Sequence, residues 1–229
     1  MGKMIVIDGI DGSGKSTQSS MVYEELYKQG RKINLISFPN YQSETGTIIY
    51  KYLHGELGPT ADSVGPYGAS ILYATDRYYS YMKSWNKLYN DNDEIILTCR
   101  YTTSNAIHQM AKLEREEWNS YIDWLWDLEY NKLGLPKPDL VLYLDLKPEI
   151  TLAMTKKRGE ETGQALDIHE KDADYINRCY WAGKYAANKL GWKSIQCYQD
   201  DEMLPEETIK NMLLEEITLL LDTKGGIDE

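Results

Sequence analysis

Gly9-Ile10-Asp11-Gly12-Ser13-Gly14-Lys15-Ser16 has two glycines separated by four residues and followed by Lys and Ser. That spacing suits the chemistry of holding phosphate. Glycines let consecutive backbone N–H groups turn inward on an anion, Lys15 reaches the β and γ oxygens of a triphosphate, and the Ser16 hydroxyl ligates magnesium. Gly9, Gly12, Ser13, Gly14, Lys15, Ser16 and Thr17 are therefore the candidate phosphate-binding residues, with Ser16 the candidate metal ligand.

A loop of this kind works only between a strand and a helix. The β-rich run Met4-Ile5-Val6-Ile7 enters it, and Thr17 to Lys28 leaves it with Met21, Val22, Glu25, Leu26 and Gln29 at helical spacing, ending at Gly30. The anion then sits at a helix N-terminus, where unpaired N–H groups and the helix dipole favour negative charge. Further β-branched runs at Lys32 to Phe38, Glu94 to Cys99, Leu140 to Leu146 and Ser194 to Tyr198 alternate with helical patterns. The helices are expected near Gly46 to Leu53, Tyr67 to Tyr89, Thr103 to Ala111, Glu117 to Leu133, Glu149 to Lys157, Asp172 to Leu190 and Pro205 to Asp222. This alternation predicts an α/β fold, a parallel five-stranded sheet with helices on both faces. Ligands of such sheets collect beyond the C-terminal strand ends, so Asp8, Phe38-Pro39, Cys99-Arg100 and Asp145 are expected to face one crevice.

A chain of 229 residues is long enough for one sizeable domain, expected over 1–222, with 223–229 as a frayed tail. The net charge of −11 argues against a nucleic-acid or anionic-membrane partner, since both are held by many distributed Lys and Arg contacts. A small anionic substrate stays open, because a few basic residues in a pocket outweigh a distant surface field. Cys99, Cys179 and Cys197 are odd in number and lack metal-ligand spacing, which predicts a reducing compartment, no disulfide and no structural zinc. The N-terminal apolar run of about five residues passes straight into the glycine loop, which predicts neither a signal peptide nor a membrane span, and a cytoplasmic protein.

A phosphate loop alone does not choose between kinases, hydrolysing switches and motors. The other strand ends carry more. Phe38-Pro39-Asn40-Tyr41 follows the second strand, Tyr73-Ala74-Thr75-Asp76-Arg77 stands in the long helix, Arg100-Tyr101-Thr102-Thr103-Ser104-Asn105 follows the third strand, and Gly134-Leu135-Pro136-Lys137-Pro138-Asp139 leads into the fourth. In this order, over about residues 3 to 200, these segments resemble the thymidylate kinase family.

The resemblance implies a P-loop NTPase three-layer fold with a small lid, and transfer of the γ-phosphoryl group of ATP to dTMP, giving dTDP and ADP for dTTP synthesis. It also implies Mg2+ and a homodimer. Two polyanions must be brought in line, so the chemistry asks for positive charge and positioning. Arg100, at a strand end, is suited to bridge acceptor and transferred phosphates; the alternative is a surface salt bridge. Family precedent puts an aromatic ring on thymine at Tyr73, an arginine on the base edge at Arg77, and a pyrimidine reader at Asn105, with Phe38 and Ser104 in the same dTMP site. Tyr73 and Arg77, four apart on a helix, share a face. The blander alternative makes Tyr73 ordinary core and Asp76 with Arg77 a solvated pair. Asp11 resembles the family acid at the sugar 3′-hydroxyl, and its alternative is a turn-favouring loop residue. His108 stands where relatives carry a tyrosine that crowds a ribose 2′-hydroxyl, or is a plain histidine. The charged segment 156–171 resembles a lid; the phosphate loop lacks an arginine, so Arg158 is the third candidate catalytic residue beside Lys15 and Arg100, against the alternative of a solvated charge run.

Two positions depart from the family pattern. Cys99 replaces the usual Asp before Arg-Tyr, which puts metal ligation beyond Ser16 in doubt. Asn40-Tyr41 lacks the arginine that relatives offer the acceptor phosphate, leaving that grip to Arg77, Arg100 and a lysine the sequence does not identify. The rival readings are a kinase for another deoxynucleotide or deoxynucleoside, a catalytically lapsed nucleotide-binding protein, and a GTP-hydrolysing switch. The last lacks any Asn-Lys-x-Asp segment.

Overall fold

The computed structural model describes residues 1–162 and 167–222, without the side chains of 158, 161 and 162. Five strands, β1 (Lys3–Gly9), β2 (Ile33–Ser37), β3 (Ile95–Cys99), β4 (Leu140–Asp145) and β5 (Lys193–Gln196), form one parallel sheet in the order β2-β3-β1-β4-β5. β1 lies at its centre because its residues are apolar on both faces. Ile5 and Ile7 pack toward Val22 and Leu26, while Met4 and Val6 pack toward Ile96 and Tyr101. Each such side chain contributes roughly 1.5–3 kcal/mol when fully buried.

α1 (Lys15–Lys28) and α9 (Glu206–Asp222) cover one face, and α2 (Glu44–Leu53), α3 (Pro66–Ser80), α4 (Asn86–Tyr89), α5 (Thr102–His108), α6 (Trp118–Trp126), α7 (Pro148–Thr162) and α8 (Ala173–Leu190) complete the fold. The register sets Ile7 beside Cys99, Ser37 beside Cys99 and Gly9 beside Leu144. The phosphate loop, Phe38 and Arg100 are thereby delivered to one edge of the sheet.

Two helices expected to run unbroken do not. After α3 the chain widens into a π-helical turn over Tyr81–Trp85 before α4, and after α6 it does so over Asp127–Lys132. The first widening accompanies the burial of Trp85 between Tyr81 and Tyr89, with ring centroids 4.6 and 6.4 Å away. The last expected strand also divides: β5 stops at Gln196, and a small antiparallel hairpin follows, β6 (Tyr198–Gln199) with β7 (Glu202–Met203). Of the expected lid 156–171, residues 156–162 continue α7, 167–171 form a turn, and 163–166 lie outside the described residues, as do the side chain of Arg158 and the tail 223–229.

Candidate active site

β1 ends at Gly9, the chain curls through residues 10–14, and α1 begins after Gly14. Gly12 has φ 79°, and a Cβ there would stand 2.5 Å from Thr155 Oγ1 and 2.8 Å from the Thr151 carbonyl, so α7 packs directly on the loop. Met203 of β7 approaches it from another side, near Gly14. Lys15 is buried and folds back, donating to the Ile10 carbonyl at 2.7 Å, with Asp11 4.0 Å away. Burial, reinforced by the positive charge of Arg100, pulls its pKa down to about 8 despite Asp11 and Asp8. The recess over this loop, open to solvent, spans about 660 Å3 and is lined by Asp11, Gly12, Gly14, Lys15, Ser16 and Thr17, with Arg100, Met154, Thr155 and Glu170 as its other walls. Gly9 and Ser13 lie just beneath, the Ser13 hydroxyl 3.5 Å from Lys15 Nζ.

A second recess of about 490 Å3 shares Asp11 and Arg100 with the first. Arg100 follows β3 with φ 66°, a left-handed backbone that side chains rarely adopt outside functional sites. Its Nη2 donates to Asp11, and its Nη1 stands 3.2 Å from His108 Nε2. A guanidinium only donates, so Nε2 accepts and the imidazole is neutral, with its proton on Nδ1. Burial drives the pKa of His108 down to about 3, the positive neighbours Arg100 and Lys15 adding to this against Asp11. Asp11 is held well below the usual carboxylate range: burial opposes its charge, but the positive charges of Arg100 and Lys15 outweigh it. This pair forms the seam between the recesses.

The other walls of the second recess come from separate elements. Phe38 leaves β2, its ring 6.0 Å from that of Tyr101. Tyr73 and Arg77 come from α3, and Ser104, Asn105 and His108 from α5. Tyr73 is half-buried, edge-on to Tyr52, and burial pushes its hydroxyl pKa well up. Arg77 reaches the recess already engaged, since Nε and Nη2 both donate to Glu129, at 2.7 and 2.5 Å. Ser104 lines the recess while donating to both oxygens of Asp8.

Three expectations from strand ends and pairings give way to buried hydrogen bonding. Asp8 does not open into a recess: Thr103, Ser104 and the Gly9 amide hold its carboxylate inside. Asp145 is drawn to Lys184 of α8 at 2.9 Å. Asp76 is not a solvated partner of Arg77; it is buried and accepts from Asn40 N, Ser43 Oγ and Thr45 Oγ1, tying the chain after Phe38 to α3.

The sequence reading passed over Asp167, His169 and Glu129. The amides of His169 and Glu170 donate to Asp167 Oδ1, Ile168 N bonds the Leu53 carbonyl, and His169 Nε2 meets Tyr52 OH at 2.9 Å. Burial, with the charge of Asp11, raises Asp167 to about 6. Buried Glu129 lies behind the recess. A signal for it existed: the apolar stripe Trp118, Ile122, Leu125 continued by four residues lands on Glu129.

For magnesium the donor set is sparse. Ser16 Oγ is 3.7 Å from Cys99 Sγ, and among the described residues no group of three or more His, Cys, Asp or Glu could hold a metal. Ser16 nevertheless stands where a phosphate-loop hydroxyl meets magnesium, with water and substrate phosphates to fill the other positions, so the residues fit it.

A phosphate loop between the central strand and α1, with a second recess sharing the Arg100–Asp11 pair, defines a P-loop nucleotide-handling protein with two adjoining ligand sites. Comparison with known proteins narrows the class. The sequence profile of the family described as thymidylate kinase matches residues 7–196. Thymidylate kinase from Mycobacterium tuberculosis is 33% identical over 177 residues, 76% of this chain and 81% of that protein. The Caenorhabditis elegans thymidylate kinase is 30% identical over 196 residues, 79% and 81% of the two chains. The structure of thymidylate kinase from Candida albicans superposes with a TM-score of 0.68 at 22% identity, covering 95% of this chain and 92% of that one. The chain belongs to the thymidylate kinase family.

Proposed function

We propose that the chain transfers the γ-phosphoryl group of ATP to dTMP, giving dTDP and ADP and so serving dTTP synthesis. The observation that carries this reading is the shared wall: a donor recess over the phosphate loop and an acceptor recess meet at Arg100 and Asp11. In-line transfer between two nucleotides needs such a meeting point, with cationic groups where charge concentrates.

Lys15 and the loop amides, with Gly9, Gly12, Ser13, Gly14 and Thr17, hold the donor phosphates. Ser16 with water holds Mg2+, which supplies charge neutralisation on the phosphate oxygens when bound. Arg100 exchanges part of its contact with Asp11 for the transferred and acceptor phosphates. Tyr73 and Phe38 bracket the thymine, Arg77 and Asn105 meet its edge, and Asp11, Ser104 and neutral His108 line the sugar side. The segment 156–171 serves as a lid bringing Arg158 to the phosphates. α3 and the turn after it leave Tyr67, Ile71, Tyr78 and Met82 exposed along one stripe, the kind of apolar face a second copy covers in a homodimer. Among the described residues no helix is long and apolar enough to cross a membrane, and Cys99, Cys179 and Cys197 are free and buried. The free thiols support a reducing, cytoplasmic setting.

The test is coupled detection of ADP with ATP and, in turn, dTMP, dUMP, dCMP, dGMP, thymidine or no acceptor. The expected result is the highest kcat/KM with dTMP. Faster turnover with thymidine, or equal turnover with no acceptor, overturns the reading.

A further inference from the structure

Glu129 touches neither recess, yet the polar groups behind the acceptor site converge on it. Its carboxylate accepts from Arg77 Nε at 2.7 Å, Arg77 Nη2 at 2.5 Å and Thr102 Oγ1 at 2.7 Å, with Asn105 Nδ2 at 3.5 Å. Arg77 belongs to α3, and Thr102 and Asn105 to α5. Glu129 itself sits in the π-helical turn after α6, a local widening that recurs at functional sites.

Counting donors and acceptors shows what this convergence leaves for a ligand. A guanidinium has five N–H donors. Two of Arg77's go to Glu129 and one, from Nη1, to the Tyr101 carbonyl at 3.4 Å. One N–H on Nη1 and one on Nη2 therefore remain, on a residue that lines the acceptor recess. Asn105 is flanked by two groups that only accept, the Glu129 carboxylate and the Ser70 carbonyl, each 3.5 Å from Nδ2. Its amino group must turn to them, which leaves Oδ1 without a partner among the described residues.

We propose that Glu129 is a specificity-determining positioning residue: it sets Arg77 as a donor beside Asn105 as an acceptor, so that the recess takes a 4-oxo pyrimidine and refuses a 4-amino one. O4 of the first accepts and its N3–H donates; the 4-amino ring reverses both. The proposal rests on the dTMP reading above. It adds that the choice is made by a carboxylate the base never meets. An amide at 129 can donate as well as accept, so only the Ser70 carbonyl still holds the Asn105 amino group, and Asn105 turns over more readily to offer it to N3 of cytosine.

The experiment measures ADP release by the full chain with dTMP and with dCMP. In Glu129→Gln the ratio of kcat/KM for dTMP over dCMP is expected to fall at least about tenfold, carried by KM for dTMP more than by kcat. Glu129→Asp, which still only accepts, should keep the wild-type preference. A role in folding alone would weaken both acceptors alike, so an unchanged ratio in folded Glu129→Gln overturns the proposal. Should that variant not fold, Asn105→Ala decides: an unchanged ratio there overturns the proposal too, and a collapsed ratio supports it. Failure of the wild-type chain to phosphorylate dTMP removes the acceptor assignment and this inference together. Wild-type activity with an unchanged ratio in the variant removes only the role of Glu129.

Discussion

The two recesses that meet at Arg100 are built by different means. The recess over the phosphate loop is lined chiefly by one run of nearly consecutive residues, shaped by α7 and by Met203 pressing on it. The acceptor side takes side chains from the end of β2, from α3, from α5 and from the turn at 167–171, segments far apart in sequence. Its walls stand in place because buried carboxylates behind them are satisfied: Asp76 anchors the chain after Phe38, Asp8 anchors Ser104, and Glu129 anchors Arg77. Phosphate is recognised by the path of a chain, whereas a base edge needs atoms at fixed points, which requires a supporting layer of hydrogen bonds.

The seam itself should give the largest effect. Arg100→Ala is expected to lower kcat by about 10^3-fold or more, as for arginines that stabilise a transferring phosphoryl group, with little change in melting temperature. Arg100→Gly should lose as much turnover yet be the more stable of the two variants by roughly 1 kcal/mol, because glycine accepts the left-handed backbone. Equal melting temperatures would show that the backbone at 100 is not strained. On the donor side, Gly12→Ala must push against Thr155 and Thr151, and should cost about 10^2-fold in kcat/KM for ATP. Gly30 has a similar φ of 78° with nothing near its Cβ position, so Gly30→Ala should cost roughly 1 kcal/mol of stability and no turnover.

Proton linkage separates the two sides more gently. Lys15 is charged below about pH 8 and loses its proton above it, so ATP affinity of the free protein should weaken, by up to about tenfold per pH unit, as pH rises beyond 8. His108, with its pKa near 3, stays neutral and should add no inflection to dTMP binding between pH 5.5 and 7.5. A histidine inflection that disappears in His108→Gln would break that assignment. The smallest effect is at Asp167, raised from 3.8 to about 6. Between those values the folded state holds more protons than the unfolded one, so this group's contribution to stability falls as pH rises through that window. Asp167→Asn should then melt a few degrees above wild type at pH 8 and level with it at pH 4.

The donor side was legible in the sequence because glycine spacing, Lys15 and the flanking periodicities are local. The five parallel strands were legible for the same reason, each being a continuous apolar run. The acceptor residues Tyr73, Arg77 and Asn105 were reached through resemblance, and their spacing could not show that Arg77 arrives with Glu129 already bound. Asp8 and Asp145 were misplaced by the rule that strand ends face the crevice, since Thr103, Ser104 and Lys184 compete for those carboxylates from helices far along the chain. The π-helical turns left no mark in a pattern read at 3.6 residues per turn, because buried positions on either side of them still fit that period.

With acceptor choice resting on Glu129 as proposed, the turn at 127–132 makes chain length, and not only residue type, a determinant of that choice. Removing one residue there would let the helix close to its ordinary pitch, keeping later side chains near their present angle while re-aiming those of the turn itself. Glu129, buried within that turn, would lose the position from which it meets Arg77. A single-codon deletion would thus reach the acceptor pocket from outside it, and relatives that differ in length across this helix are where altered acceptor choice should be sought.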